Sequence, residues 1–309
     1  MPLAPAHPAP TQIAPVKRAN EVKPWFVALR LHHWLKNLVV FLPLLLSHQF
    51  HTVQVVAAFQ TFAAFSFCAS AFYVFNDLLD VEADRLHVQK RARPFAADEL
   101  GLRQGIVLIS IGLAAAFLIT STIPLPAQLY LLLYAAVSGS YSLWLKQLAF
   151  LDVVLLAALY AFRLLAGGAA ETIPISPWTL AFCTFLFLGL ALIKRLKELV
   201  LARAQNRVHL ARRGYTPSDI PSVRAFATVS LYLSASVFAF YINSGAVSKL
   251  YRHPQILWVV CVLFLYWVQR VVRLANLGQM TDDPVVFAFA DRASQIVVLL
   301  VAASVVLAL

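Results

Sequence analysis

The sequence predicts an all-α membrane protein with nine transmembrane helices, and three observations carry that prediction. Hydrophobic residues make up 61% of the 309-residue chain and charged residues 13%, against about 45–50% and about 25% in ordinary soluble domains. Mean hydropathy is +0.76, which excludes a disordered chain and leaves more apolar surface than a soluble core can hide. Apolar runs of spanning length then follow one another from residue 25 to the end, so 25–309 reads as one membrane domain and not as two soluble ones.

Residues 1–24 carry Pro2, Pro5, Pro8, Pro10 and Pro15 and read as a disordered cytosolic tail. They lack the apolar stretch and cleavage site of a signal peptide, so the first helix serves as the insertion signal. A span needs about 20 mainly apolar residues. The runs lie at 25–46, 53–76, 105–122, 126–144, 150–170, 178–199, 223–243, 254–274 and 287–309. Pro124, Pro126, Pro174, Pro177, Pro221 and Pro254 stand at their edges, where helix breakers belong.

Loop charge orients the spans. Arg85, Lys90, Arg91, Arg93 and Arg103 follow span 2; Lys146 follows span 4; Arg203, Arg207, Arg212 and Arg213 follow span 6; Arg270 and Arg273 end span 8. Ser47–Thr52 and Ala170–Pro177 hold no Lys or Arg, and Lys249 and Arg252 alone break the alternation. The expected location is the cell (inner) membrane, with the amino terminus and the polar loops cytoplasmic and the carboxyl terminus outside. The net charge of +11, from 25 Lys and Arg against 14 Asp and Glu, is then loop charge, and no nucleic-acid partner is inferred. Cys68, Cys183 and Cys261 sit far apart in apolar runs; they read as small buried fillers.

The stretch Asn76-Asp77-Leu78-Leu79-Asp80-Val81-Glu82-Ala83-Asp84-Arg85 is the most informative. Continued as a helix at about 100° per residue, it places Asp77, Asp80 and Asp84 at about 0°, 300° and 340°. The three carboxylates share a face with Asn76, and Glu82 points elsewhere. Stacked like charges destabilise a free helix, so a cation belongs among them. Mg²⁺ takes hard oxygen ligands and is usually held by one or two carboxylates plus substrate phosphates. Lys90, Arg91 and Arg93 follow at once, the side chains an anionic substrate needs.

Asn76-Asp77-x-x-Asp80-x-x-x-Asp84 resembles the first aspartate-rich motif of the UbiA-type intramembrane prenyltransferase superfamily. Asp84-Arg85-x-His87-x-x-Lys90-Arg91-x-Arg93-Pro94, Trp34-x-Lys36-Asn37, Tyr141-Ser142-x-x-x-Lys146, Arg163-x-x-x-Gly167-Gly168 and Asp283-Pro284-Val285-Val286-Phe287-Ala288 with Asp291-Arg292 resemble the branch that includes decaprenyl-phosphate phosphoribosyltransferases. The resemblance implies nine helices around a central cavity open to the cytoplasmic side, with Mg²⁺ on a diphosphate held by Asp77, Asp80 and Asp84.

Span 6 ends in Lys194-Arg195-Leu196-Lys197-Glu198-Leu199, where aromatic prenyltransferases of the superfamily carry a second aspartate cluster. One acid among three cations suits the phosphoribosyltransferase branch. Such an enzyme moves 5-phosphoribose from 5-phosphoribosyl 1-diphosphate to a polyprenyl phosphate, and its site holds three kinds of phosphate together. The expected substrate contacts are Lys36, Asn37, Asn76, Lys90, Arg91, Arg93, Lys146, Arg163, Lys194, Arg195 and Glu198. For Lys194 and Arg195 the alternative is snorkelling at a helix end, and for Glu198 an ion pair with them.

Arg163 lies in the middle of span 5, where a charge costs about 2.5–3.5 kcal/mol on insertion scales. A phosphate contact is expected; the alternative is a structural pair with Asp152, about 16 Å away along the helix. Gly167 and Gly168 are expected to allow close helix packing. Asp283 and Arg292 belong to a last inner loop that either closes the site or is simply solvated. The leading expectation is the phosphoribosyl transfer, and the chain leaves room for a homo-oligomer. The alternative enzyme attaches a polyprenyl chain from its diphosphate to an aromatic acceptor such as 4-hydroxybenzoate. A transporter would put its ionisable groups near the midplane on broken helices, whereas these acids cluster at the inner face.

Overall fold

The computed structural model describes residues 24–48, 50–86, 90–206, 210, 213–245, 247–280 and 283–309. The tail expected over 1–24 lies almost wholly outside them, as do His87, Arg207, Arg212 and Asp282. Among the described residues there are helices and turns and no strand.

The first apolar run is not one straight helix. Helix α1 (Pro24–Leu29) stops at Arg30, which is left-handed (φ 50°, ψ 49°). The chain continues as a 3-10 segment, Leu31–Phe41, and then α2 (Leu42–Ser47). Runs of 3-10 helix beyond three or four residues are uncommon. This one buries Lys36, Asn37 and Val40, so tertiary packing holds it. Next come α3 (Thr52–Leu79), α4 (Val81–Arg85), α5 (Leu102–Thr120), α6 (Leu125–Leu143), α7 (Leu151–Glu171), α8 (Pro177–Ala204), α9 (Ile220–Ile242) and α10 (Leu257–Asn276). The chain ends in α11 (Pro284–Ala290) and α12 (Arg292–Ala308). Proline stands in the first turn of α6, α8, α9 and α11, where its missing N–H costs nothing. Ser176 caps α8 by accepting the backbone N–H of Thr179 at 3.1 Å.

Six helices among the described residues are long and apolar enough to cross a membrane, and seven if the bent pair α11–α12 counts as one span. The nine expected runs are all helical, but three differ from straight spans. The first is broken at Arg30. Helix α6 has its apolar residues diluted by serines, tyrosines and Gln128. The last bends by 81° between α11 and α12, where Asp291 leaves the helical conformation to cap α12. Large apolar side chains such as Phe59 on α3, Ile111 and Leu118 on α5, Val262 on α10 and Leu299 on α12 are exposed, as an integral membrane protein requires.

Helix α8 packs most extensively on α9, α3 on α5, and α6 on α7. One core is built mainly on α8, α9 and α10; another lies between α3, α5, α6 and α7; helix α7 enters both. Gly167 permits this. A β-carbon there would lie 2.2 Å from the Val40 carbonyl oxygen, so the helix backbone rides directly on the 3-10 segment. The three cysteines are free and buried, as expected of fillers.

Candidate active site

Helix α3 ends at Leu79, and Asp80 (φ −102°, ψ 4°) is the joint with α4. The rise continues, because the Asp84 N–H still reaches the Asp80 carbonyl at 2.8 Å. The joint nevertheless divides the aspartates. Asp77 and Asp84 are 2% and 3% exposed and are tied together by Arg93, whose Nη1 donates to Asp77 Oδ1 at 3.1 Å and to Asp84 Oδ2 at 2.5 Å. Arg30 Nη2 donates to the same Asp77 oxygen at 2.6 Å. Asp80 belongs to a second group: Lys146 Nζ lies 2.9 and 3.0 Å from its two oxygens and 3.0 Å from Asn76 Oδ1. Asn76 Nδ2 also donates to Asp80 at 3.0 Å. Glu82 is exposed and meets only Arg85 among these charges, as its helical angle implied. Burial pushes the Asp84 carboxyl above the ordinary carboxylate range, and Arg93 opposes that shift.

The left-handed turn at Arg30 swings its guanidinium to Asp77, and this residue was not anticipated from sequence. The signal was available: Arg30 is a charge inside an apolar run, the same mark that singled out Arg163. Lys90 and Arg91 lie on the short 3-10 turn Lys90–Ala92. Lys90 is within electrostatic reach of Arg93, Asp84, Glu198 and Arg213.

A second cluster stands on the 3-10 segment. Lys36 is buried, and its Nζ donates to Asp283 Oδ2 at 2.5 Å. Lys194 approaches the same oxygen at 3.7 Å. Asp283 Oδ1 caps α11, accepting from Val285 and Val286 N–H. Burial alone would raise the Asp283 carboxyl, but Lys36 and Lys194 hold it well below the usual range. His33 lies beside Tyr73, with ring centres 5.2 Å apart.

The third cluster joins α7 and α8. Arg195 is wholly buried; it donates to Asp152 at 2.5 Å and to Glu198. Tyr215 donates to the other Asp152 oxygen at 2.7 Å. Arg213 reaches Tyr141 at 2.9 Å and comes within 3.5 Å of Asp152 and 3.8 Å of Glu198. Arg195 and Glu198 thus have a structural partnership that a substrate reading alone does not supply.

Arg163 and Asn37 also satisfy each other. Arg163 Nε donates to Asn37 Oδ1 at 2.6 Å, its Nη1 to the Leu159 carbonyl at 2.6 Å, and its Nη2 to Tyr134 at 2.9 Å. Asn37 donates to Ser66 at 2.9 Å. Neither partner weighed from sequence, a phosphate or Asp152, is needed to explain this arginine. Three neutral groups and the faces of Tyr134 and Tyr160 compensate a charge held between α7 and the 3-10 segment. Asp291, for its part, pairs with Arg270 at 2.8 and 3.0 Å.

Among the described residues no group of three His, Cys, Asp or Glu side chains is spaced to share one metal ion. The donor set still fits Mg²⁺ on a diphosphate. Asp80 and Asp77 are hard oxygen donors at one helix end, and such sites use one or two carboxylates with phosphate oxygens completing the shell.

The UbiA prenyltransferase family is matched over residues 37–293. The chain is 34% identical over 301 residues to "Uncharacterized protein y4nM" of Sinorhizobium fredii, covering 95% of this chain but only 57% of that one. It is 35% identical to "Nodulation protein NoeC" of Azorhizobium caulinodans, over 88% of this chain and 89% of that one. To a "Decaprenyl-phosphate phosphoribosyltransferase" of Mycobacterium tuberculosis it is 32% identical, over 72% and 76% of the two chains. In fold it is similar to a UbiA homolog from Archaeoglobus fulgidus bound to GPP and Mg²⁺. The TM-score is 0.68 at 13% identity, over 91% of this chain and 99% of that one.

Proposed function

The chain belongs to the UbiA prenyltransferase family, and from that premise we propose that it is a Mg²⁺-dependent transferase of 5-phosphoribose. The donor is 5-phosphoribosyl 1-diphosphate, the acceptor a polyprenyl phosphate, and diphosphate is released. The observation that carries this reading is the end of α8. Its one acid, Glu198, is engaged by Arg195 and Arg213 and so is not free to hold a second metal, while the partly exposed Lys194 offers a cation to phosphate. The likeness to proteins named decaprenyl-phosphate phosphoribosyltransferase supports the same choice.

In the reaction the bond from the anomeric carbon to the diphosphate oxygen breaks, and one to the lipid phosphate oxygen forms. Asp77 and Asp80 would hold Mg²⁺, which supplies charge neutralisation on the leaving diphosphate. Arg30, Arg93 and Lys146 turn from the aspartates to the phosphate oxygens, and Lys90 and Arg91 extend that array. Asp84 keeps Arg93 oriented. Positive side chains aimed at the departing group are worth most where water is scarce. The nucleophile is already an anion, so no strong general base is required. Arg163 and Asn37 act through packing: they fix the 3-10 segment that carries His33 and Lys36.

The protein is proposed to lie in the inner membrane with 85–103 and 194–213 cytoplasmic. Cysteines placed at the exposed Arg103 and Arg203 should resist membrane-impermeant labelling of intact cells; external labelling of both overturns that orientation. The deciding assay is paired. Purified protein receives labelled 5-phosphoribosyl 1-diphosphate with polyprenyl phosphate, or polyprenyl diphosphate with 4-hydroxybenzoate. Phosphoribosyl lipid is expected in the first arm. Prenylated 4-hydroxybenzoate, with no phosphoribosyl lipid, overturns the proposal.

A further inference from the structure

The three ion clusters differ in their direct ion pairs. Around the α3 terminus three carboxylates, Asp77, Asp80 and Asp84, face three cations, Arg30, Arg93 and Lys146. Between α7 and α8 two carboxylates, Asp152 and Glu198, face Arg195 and Arg213. In the remaining cluster two ammonium groups, Lys36 and Lys194, converge on one carboxylate, Asp283, at 2.5 and 3.7 Å, and Lys194 also lies within electrostatic reach of Glu198. Counted over direct ion pairs, that cluster has one more cation than carboxylate. It also has a polar group to spare, since His33 Nδ1 is buried without a hydrogen-bond partner and His33 feels the charges of both Lys36 and Asp283.

A buried lysine and a partly exposed one that share a single carboxylate call for a second anion. We propose that Lys36 and Lys194, with His33 alongside, form a separate subsite for the phosphate monoester of the lipid acceptor, and that Asp283 is the counter-ion this phosphate displaces. The inference rests on the phosphoribosyl-transfer reading and assigns that site's second substrate. A diphosphate with its metal needs several carboxylate oxygens, which the α3 terminus has. The oxygens of Asp283 are already divided between the α11 cap and the two lysines. A phosphate monoester offers three acceptor oxygens to two ammonium groups and an imidazole, and its charge takes over the role of the carboxylate. Lys36 comes from the broken first segment, Lys194 from α8, and Asp283 from the start of the bent pair α11–α12, so three separate elements of the bundle meet at one point.

The test uses the full-length protein in detergent with farnesyl phosphate as probe and farnesol as its phosphate-free control. Lys36→Met and Lys194→Met should each weaken farnesyl phosphate binding about tenfold or more, the effect of one lost charge-assisted contact. Binding of 5-phosphoribosyl 1-diphosphate with Mg²⁺ should stay within about twofold, because that ligand goes to the balanced cluster. Lys36→Arg should restore most of the loss, which separates a binding role from a folding one. Asp283→Asn keeps the α11 cap and removes the competing charge, so it should tighten farnesyl phosphate binding. Three outcomes overturn the subsite: farnesol binding as tightly as farnesyl phosphate, Lys36→Met weakening the sugar diphosphate instead, or Asp283→Asn weakening the lipid phosphate. A wild-type protein that binds farnesyl phosphate but transfers no phosphoribose overturns the reaction and leaves the subsite standing.

Discussion

Arg195 tests whether the end of α8 is built for substrate or for the bundle. Its side chain is wholly inaccessible and lies between Asp152, itself inaccessible, and Glu198. Arg195→Met keeps the length and apolar stem but leaves two carboxylates short of a cation. Breaking a buried pair from one side costs about 3–5 kcal/mol. The lower half of that range is expected, because Asp152 keeps Tyr215 at 2.7 Å and Arg213 at 3.5 Å. Thermal unfolding in detergent should shift down by roughly 6–8 °C, taking about 2 °C per kcal/mol for a chain of this size. Adding Asp152→Asn should recover part of the loss, since the orphaned charge disappears with its partner. The activity that remains should show an almost unchanged KM for the sugar diphosphate. Unaltered unfolding together with a KM raised tenfold or more would refute the reasoning and return Arg195 to the substrate.

Three further outcomes follow from the same geometry. Asp77→Asn and Asp80→Asn should each lower the transfer rate by about 100-fold or more, as loss of a metal-binding carboxylate does, while exposed Glu82→Gln loses little; equal losses at Asp80 and Glu82 would contradict the division of the helix into faces. Gly167→Ala should cost about 1–3 kcal/mol, read as a lower unfolding temperature, because the new methyl group would meet the Val40 carbonyl at 2.2 Å; a neutral result would show that α7 does not ride on the 3-10 segment. The depressed Asp283 carboxyl, facing Lys36, Lys194 and His33, binds a proton less readily in the folded than in the unfolded chain. Its stabilisation is therefore present above the ordinary carboxylate pKa of about 3.9 and is lost as pH falls through the lower folded value. Acid unfolding curves of Asp283→Asn should lack that component.

The six or seven spans that the fold supports, and the acidic stretch, were legible because each is local. Hydropathy over about 20 residues finds a span, and 3.6-residue periodicity finds a face. The 100° rotation correctly sent Glu82 away from Asp77 and Asp84. It did not reveal that Asp80 pairs apart from them, because Asp80 is the joint between α3 and α4 and its partner, Lys146, lies 66 residues on. Arg163 was recognised as a buried charge in need of compensation, and its compensation by Asn37, Tyr134 and the Leu159 carbonyl was not legible. Arg30, Asp152 and Tyr215 were passed over as site residues although Arg30 and Asp152 are charges in apolar runs.

What the sequence by itself determined is which segments are apolar, which ends are basic and which residue types are available for phosphate chemistry. Only the tertiary structure decided who neutralises whom: Arg30 with Asp77 across 47 residues, Arg163 with Asn37 across 126, and Lys36 with Asp283 across 247. The reason is physical. A buried charge must find a counter-charge or hydrogen bonds wherever helices bring them within about 3 Å, and that depends on how closely backbones approach. Here one missing side chain, at Gly167, lets α7 lie on the segment that carries Lys36 and Asn37, and no pattern within a single helix contains that distance.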